Sequence, residues 1–168
     1  MFESGIRILP NDNRFGRERR AYQKSCVSTE PVPAHEKKKR YGVEYVWIAL
    51  GAVAGANARY LLGRAIGDRY GASFPYGTFV INVSGALIIG FLLTLLTEVL
   101  VTDPRWRLLL VVGFLGSYTT FSTFTYEAYS LIDRGDWTKL CVYVIGSNVL
   151  GVGACIAGVV AARAIDTL

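Results

Sequence analysis

Four long apolar stretches, separated by short polar connections, constrain the fold of this chain more than any other feature of its sequence. A helix needs about 20 mostly apolar residues to cross a hydrocarbon core about 30 Å thick. The stretches that come close to or exceed this length are residues 45–62, 78–101, 106–132 and 138–162. The sequence therefore predicts an all-α membrane protein with four transmembrane helices per chain.

Charge divides the chain into a basic segment and a neutral one. Residues 1–40 hold ten Lys and Arg against five Asp and Glu, whereas residues 41–168 hold eight of each. A charged, proline-containing segment without a helical apolar period is typical of a disordered tail. We expect a disordered N-terminal extension over 1–40 and a four-helix transmembrane domain over 41–168. The extension is either a solvated leader or a contact with anionic lipid through its basic run at residues 37–40.

Composition excludes several classes of function. Only 18% of the residues are charged, which argues against a soluble enzyme core. Cys141 and Cys155 lie in one span about 21 Å apart along a helix axis, beyond disulfide reach. The single histidine, His35, has no nearby metal-ligating partner, and no P-loop motif is present. We therefore expect neither an enzyme nor a nucleic-acid-binding protein.

The connections carry helix start and stop signals. Asp103 is a good N-cap and Pro104 is tolerated at a first helical position, so the third span should begin there. Gly135 favours a helix end and Asp136 a helix start, which separates the third and fourth spans. The tryptophans at span ends, where aromatic belts form, are Trp47, Trp106 and Trp137.

The third span contains an unusual polar stretch, GFLGSYTTFSTFTY, at residues 113–126. Eight hydroxyl side chains cluster there, preceded by Gly113 and Gly116. A helix is interrupted at bilayer depth only where protein or water replaces its backbone partners. Such an interruption exposes carbonyl groups and helix ends, from which channels and transporters build ion sites. The stretch predicts a helix broken mid-membrane from around Gly113, or else hydroxyls that bond to their own helix.

Polar and aromatic groups near this stretch suit a small anion. Asn82 in the second span can offer two amide N–H donors. Phe121 and Phe124 have rings whose edges are positively polarised. Tyr143 and Ser147 add hydroxyl groups from neighbouring turns of the fourth span. Donors of this kind can replace the hydration of an anion, which is otherwise very costly to remove.

The positions of the charged residues also favour an anion over a cation. Glu98 and Glu127 fall toward span ends, and Arg59 lies near the end of the first span. A small dual-topology cation or drug exporter, the main alternative, normally needs a carboxylate within the membrane. A scaffold protein without transport activity is a further alternative.

Because four short helices are too few to enclose a pore comfortably, we expect a dimer.

Basic residues give no single orientation in the membrane. An even number of spans places both termini on one side, where the core has Arg105, Arg107 and Arg163. The opposite side has Arg59, Arg64, Arg69, Arg134 and Lys139. This bias is weak for a rule that normally decides insertion, whereas the basic extension favours cytoplasmic termini. The orientation stays open.

Three segments resemble one known family, in matching order. They are GAVAGANARY at 51–60, PYGTFVINVSGALIIGF at 75–91 and GFLGSYTTFSTF at 113–124. Over about residues 44–163 the chain is similar to the Fluc/CrcB fluoride channel family. The resemblance implies a fluoride-selective channel of the cell membrane that exports fluoride passively and confers fluoride resistance.

The resemblance also implies an assembly and a set of site residues. The assembly is an antiparallel dual-topology dimer in lipid, formed by two copies or with a paralogous subunit. A structural Na+ ion at the dimer axis would be held by the backbone carbonyls of Gly116 and Thr119. The residues that the resemblance places along the fluoride pore are Arg59, Asn82, Phe121, Ser122, Thr123, Phe124, Glu127, Tyr143 and Ser147.

Overall fold

The computed structural model describes residues 34–100 and 103–166, and every regular element within them is a helix. The helices long and apolar enough to cross a membrane are Gly42–Tyr70, Tyr76–Val99, Pro104–Asp133 and Trp137–Ile165. These four spans confirm the all-α membrane fold predicted from the sequence. The chain divides after Lys37 into two units, and all four spans lie in the second unit.

The first helix, α1, covers Ala34–Tyr70 and is longer than the span predicted at 45–62. Its 37 residues extend about 55 Å at 1.5 Å per residue, more than the thickness of a hydrocarbon core. Residues 1–33 of the predicted extension lie outside the described residues, and the assignment of 1–40 stays a prediction. Gly71 ends α1 with a φ of 73°, and its amide donates to the Gly67 carbonyl at 2.9 Å.

The remaining helices follow closely along the chain. They are α2 (Tyr76–Val99), α3 (residues 104–118), α4 (Phe121–Asp133) and α5 (Trp137–Asp166). Asp103 caps α3 by accepting the Arg105 N–H at 2.9 Å, and Pro104 occupies the first turn, as the sequence predicts. Gly135 separates α4 from α5 with a φ of 71°, which confirms the predicted helix end.

The third span consists of two helices because Thr119 and Thr120 have extended backbones. Their φ and ψ angles are −81° and 158° for Thr119, and −149° and 118° for Thr120. The interruption lies at Thr119 and Thr120, inside the polar stretch at 113–126 in which the sequence predicts it, and the helix continues past Gly113. Gly113 lies within the helix. Its lack of a side chain allows a close contact with α1, because a Cβ there would meet the Ile48 carbonyl.

Helices α1 and α3 approach so closely that only glycine fits at their contact. A Cβ on Gly55 would overlap the backbone carbonyl oxygen of Phe114, and Gly51 faces the same helix as closely. Helices α2 and α5 approach each other in the same way at Gly90 and Gly158. Close backbone contact through small residues is the usual means of helix association in lipid, where hydrophobic burial gives no driving force.

The outer surface of α5 is apolar over most of its length. More than half of each side chain is exposed at Val142, Ile145, Val149, Val152, Ile156 and Val160. An apolar face of this extent is unusual in water and ordinary against lipid or another apolar subunit. Together with the four spans, it describes a multi-pass membrane protein.

Replacing Gly55 with Ala should destabilise the fold by about 1–3 kcal/mol, because the added Cβ overlaps a backbone oxygen of α3. The matched control is Gly67→Ala in the same helix, where a Cβ meets nothing within 4 Å and alanine favours helix formation. Unfolding in detergent, followed by circular dichroism, measures both stabilities. Equal stability of the two variants would contradict the close contact between α1 and α3.

Candidate functional site

A side chain from α2 completes the backbone hydrogen bonding at the interruption. Asn82 donates through Nδ2 to the Thr120 carbonyl oxygen at 3.1 Å. It also accepts the Thr120 N–H at its Oδ1, at 2.9 Å. Because Thr120 is buried and extended, it has no helical partners of its own for these groups. The Asn82 amide therefore makes the interruption tolerable within an apolar span.

This pairing changes how many donors Asn82 can offer to an ion. From the sequence alone, both N–H groups of Asn82 are expected to be available. The structure uses one of them, together with the amide oxygen, to bind the Thr120 backbone. One N–H of Asn82 is left for a ligand, because a side-chain amide has two.

Thr120 also caps the helix that follows it. Its Oγ1 accepts the Thr123 N–H at 3.2 Å, which satisfies one of the first amides of α4. The same hydroxyl donates to Thr123 Oγ1 at 3.0 Å and lies 3.3 Å from Ser122 Oγ. Ser122 and Thr123, both predicted pore residues, are thus exposed members of the first turn of α4.

Two backbone carbonyls beside the interruption lose the partners that a continuous helix would supply. The Thr120 N–H, which would reach Gly116, donates to Asn82 instead. The Thr123 N–H, which would reach Thr119, donates to the Thr120 hydroxyl. Carbonyls released from helical pairing coordinate Na+ in other membrane proteins. Gly116 and Thr119 therefore fit the ion that the family resemblance implies.

A cavity of about 400 Å³, here called the groove, lies beside the interruption. The predicted site residues that line it are Asn82, Gly116, Thr119, Phe121, Phe124 and Ser147. Ser147 Oγ is buried and has no hydrogen-bond partner within the described part of the chain. A buried unpaired hydroxyl costs about 1–3 kcal/mol. Ser147 therefore has unused hydrogen-bonding capacity beside the groove.

Aromatic rings form one wall of the groove. The centroids of Phe121 and Phe124 are 5.9 Å apart, with 34° between the ring planes. The Phe124 ring packs in turn against Tyr143, at a centroid distance of 5.0 Å. Tyr143 is fully buried, whereas 77% of Phe121 is exposed. The Phe121 ring therefore lies at the open side of the groove and Phe124 toward the protein interior.

A second cavity, the cleft, has a volume of about 780 Å³. Its charged lining residues are Arg59, Arg64, Glu127 and Arg134. Arg64 is paired with Asp68 at 3.7 Å. The two remaining arginines outnumber the single carboxylate, so the lining has an excess of positive charge. A cleft with net positive charge raises the local concentration of anions. Thr120 lines both cavities, so the cleft and the groove both lie beside the interruption.

Glu127 joins three helices at the edge of the cleft. The Thr78 hydroxyl of α2 donates to Oε1 at 3.0 Å. The Tyr143 hydroxyl of α5 donates to Oε2 at 2.7 Å. Both carboxylate oxygens of Glu127 are therefore engaged by neutral donors. These bonds also explain why Tyr143, a predicted pore residue, lies beside Glu127 and not in the lining of the groove.

The structure brings the predicted site residues to two adjoining places. Six of them line the groove, as described above, and Arg59, Thr123 and Glu127 line the cleft. Ser122 and Tyr143 contact these residues without lining either cavity. Their roles in ion conduction stay predictions.

Two contacts of the site were missed by reasoning from the sequence. Thr120 was counted among the hydroxyl residues but was not given a role at the site. Threonine is a preferred N-cap residue, and this preference was the available signal for its role at the start of α4. Thr78 was missed because threonine is common in membrane helices. It precedes Asn82 by four residues and so shares its helix face, which was the available signal.

The fold and the site together define a class of protein. It is a multi-pass membrane protein whose third span is interrupted beside a groove lined by neutral polar and aromatic groups. The family model described as CrcB-like protein, Camphor Resistance (CrcB), matches residues 46–159. This match covers more than half of the chain, which therefore belongs to the CrcB family.

Curated relatives of the chain are named fluoride-specific ion channel FluC. The relative from Solibacter usitatus is 52% identical over 121 residues, which cover 72% of this chain and 99% of that protein. The relative from Koribacter versatilis is 42% identical over 122 residues, or 73% of this chain and 94% of that protein. A relative from Chloroflexus aurantiacus is 51% identical over 112 residues, with coverages of 67% and 89%.

Replacing Asn82 with Leu should destabilise the interruption, because Thr120 then loses the partners of its N–H and C=O groups. The expected loss of stability is about 1–3 kcal/mol for each unpaired group. Hydrogen exchange at the Thr120 amide should accelerate accordingly. The control is Asn57→Leu, since Asn57 is exposed and donates only to Val53 of its own helix. Unchanged protection of Thr120 in the Asn82 variant would contradict the pairing.

Proposed function

We propose that this chain is a subunit of a fluoride-selective channel of the cell membrane. It lets fluoride leave the cell passively and thereby confers fluoride resistance. The observation that carries the proposal is the groove, whose lining contains two side-chain amides, an unpaired hydroxyl and two phenylalanines but no charged side chain. Membership of the CrcB family and relatives named for fluoride support the same ion.

The lining of the groove suits a small, strongly hydrated anion. Removing such an ion from water is very costly unless the protein provides donors in place of water. The remaining N–H of Asn82 and the Ser147 hydroxyl are donors of this kind. Phe121 and Phe124 add positively polarised ring edges. A cation would find no carboxylate among these lining residues.

The proposed path begins in the cleft and ends along the groove. Arg59 and Arg134 attract anions into the cleft by their charge. The ion passes Thr120, which lines both cavities, and then moves along the phenylalanine rings. Ser122 and Thr123 contribute hydroxyl groups at the first turn of α4. Tyr143 and Glu127 hold α4 and α5 together beside this path.

The exposure of the groove supports a dimer. Phe121 is 77% exposed and Gly116 is exposed, although both line the groove. An ion path needs a wall on every side, because lipid cannot solvate an anion. We propose that a second subunit, inserted antiparallel, supplies the missing wall. That subunit is another copy of this chain or a paralogue, and lipid surrounds the pair.

The interruption also supports a structural Na+ ion. The carbonyls of Gly116 and Thr119 would hold it, since both are released from helical pairing. The ion, when bound, supplies positive charge beside the negative C-terminal end of α3. No cluster of His, Cys, Asp and Glu among the described residues offers a different metal site. Carbonyl ligands suit Na+ because it is a hard cation that does not require a carboxylate.

The alternative of a cation or drug exporter has less support. Such a protein needs a membrane carboxylate that is available to its substrate. Both oxygens of Glu127 accept hydrogen bonds from hydroxyl groups. Both oxygens of Glu98 accept hydrogen bonds from Arg163, at 2.9 and 3.2 Å.

Replacing Phe121 or Phe124 with Ile should lower fluoride flux, because a branched aliphatic chain has no polarised ring edge. A ring contact of roughly 0.5–1.5 kcal/mol corresponds to about a two- to tenfold change in rate. Efflux from proteoliposomes, recorded with a fluoride electrode and with chloride as the comparison ion, measures the effect. Phe91→Ile is the control, since Phe91 lines neither the cleft nor the groove. Undiminished flux in both variants would remove the rings from the path.

Replacing Asn82 with Asp should abolish fluoride flux. The substitution puts negative charge beside the anion and removes the donor that binds the Thr120 carbonyl. The control is Asn57→Asp, which adds the same charge at an exposed position of α1. The same proteoliposome assay compares the two variants. An Asn82 variant that conducts at the parent rate would exclude Asn82 from the pore.

A further inference from the structure

Tyr118 is the last helical residue before the interruption, and its environment is unusual for a tyrosine. Only 6% of its surface is exposed, and it belongs to an apolar cluster with Ile81 and Leu115. Its ring stacks on Phe114 with 8° between the planes and 5.7 Å between the centroids. Phenylalanine would fill this space equally well. The hydroxyl group therefore requires an explanation beyond packing, since burying it unpaired is unfavourable.

The Tyr118 hydroxyl has a partner on α2. It lies 2.9 Å from Ser84 Oγ, and Ser84 donates its own proton to the Ile81 carbonyl at 3.1 Å. A serine hydroxyl has one proton. When that proton points to the Ile81 carbonyl, Tyr118 is the donor in its bond with Ser84. Helix α2 thus holds the end of α3 through the Tyr118–Ser84 hydrogen bond.

The next residue of α2 contacts the same segment. A Cβ on Gly85 would overlap Thr119 Cγ2 and would lie 3.4 Å from the Tyr118 ring. Asn82, one turn earlier, binds Thr120. Three consecutive residues, 118–120, are thus contacted by α2, through Ser84, Gly85 and Asn82. The carbonyl of Thr119 lies between the two hydrogen-bonded residues of this segment.

We propose that Tyr118 and Ser84 are positioning residues that set the affinity of the interruption for Na+. Tyr118 does not contact the ion and acts through the placement of the adjacent Thr119 carbonyl. Without the Tyr118–Ser84 bond, the end of α3 is held by apolar packing alone, which leaves the carbonyl more mobile and the ion more weakly bound. This inference rests on the Na+ site of the proposed function. It adds residues to that site which supply no ligand atom.

The test measures Na+ binding through protein stability and does not depend on fluoride flux. A ligand that binds only the folded protein raises its melting temperature in proportion to the logarithm of its concentration above the dissociation constant. The melting temperature of the purified full chain is recorded over a series of Na+ concentrations, with N-methylglucamine keeping the ionic strength constant. The Na+ concentration at which stabilisation begins gives the relative affinity of each variant.

Tyr118→Phe and Ser84→Ala should each raise this Na+ concentration by about two- to tenfold, as expected for one hydrogen bond. The double variant should show little further change, because both substitutions remove the same bond. Tyr45→Phe is the matched control, since Tyr45 is 69% exposed near the start of the first span. The control should leave the Na+ dependence unchanged.

The outcomes separate this inference from its alternatives. A purely structural role of Tyr118 would lower the melting temperature equally at every Na+ concentration and would overturn the proposal. Should Tyr118→Phe fail to fold, Ser84→Ala decides by the same criterion. A parent protein without any response to Na+ would overturn both the Na+ site and this inference, while fluoride efflux from proteoliposomes still tests the channel separately.

Discussion

The reciprocal pairing of Asn82 with Thr120 is the interaction on which the rest of the site depends. A chain that crosses lipid must satisfy its backbone polar groups internally, and two extended residues cannot do so alone. Asn82 supplies both a donor and an acceptor in one neutral side chain. A charged residue in its place would cost about 2.5–3.5 kcal/mol at the centre of a span. The amide thus permits an interrupted helix and keeps the groove beside it neutral.

Residues on one face of α2 also contact the helices around the interruption. Thr78, Asn82 and Gly85 follow each other at spacings of four and three residues, so they share a face. Thr78 binds Glu127 of α4, and Gly85 leaves room for the Thr119 side chain at the interruption. The start of α4 and its rotation about its own axis are therefore determined by α2. Because Phe121 and Phe124 lie on the first turn of α4, the position of the ring wall follows from these same contacts.

The sequence predicted the spans well because length and hydrophobicity decide whether a helix can cross lipid. It also predicted the start of the third span, since Asp103 and Pro104 act locally. The sequence placed the interruption within residues 113–126 but did not single out its two extended residues, because these depend on a partner in another helix. Gly113 looks flexible in the sequence, yet its lack of a side chain serves contact with α1. The interruption occurs instead at Thr119 and Thr120, where α2 offers Asn82 as a partner.

A single chain leaves the proposed path open, which supports the proposed dimer. The two ends of the site differ in their surroundings, because Tyr143 is fully buried behind Phe124 while Phe121 is largely exposed. Ser147 Oγ is buried beside the groove, and its hydrogen-bonding capacity is not used by the described residues. Lipid could cover the Phe121 ring but could offer no donor to an anion beside it. The proposed antiparallel second subunit would give an apolar cover that can also carry donors, which is why we propose that a protein surface closes the path.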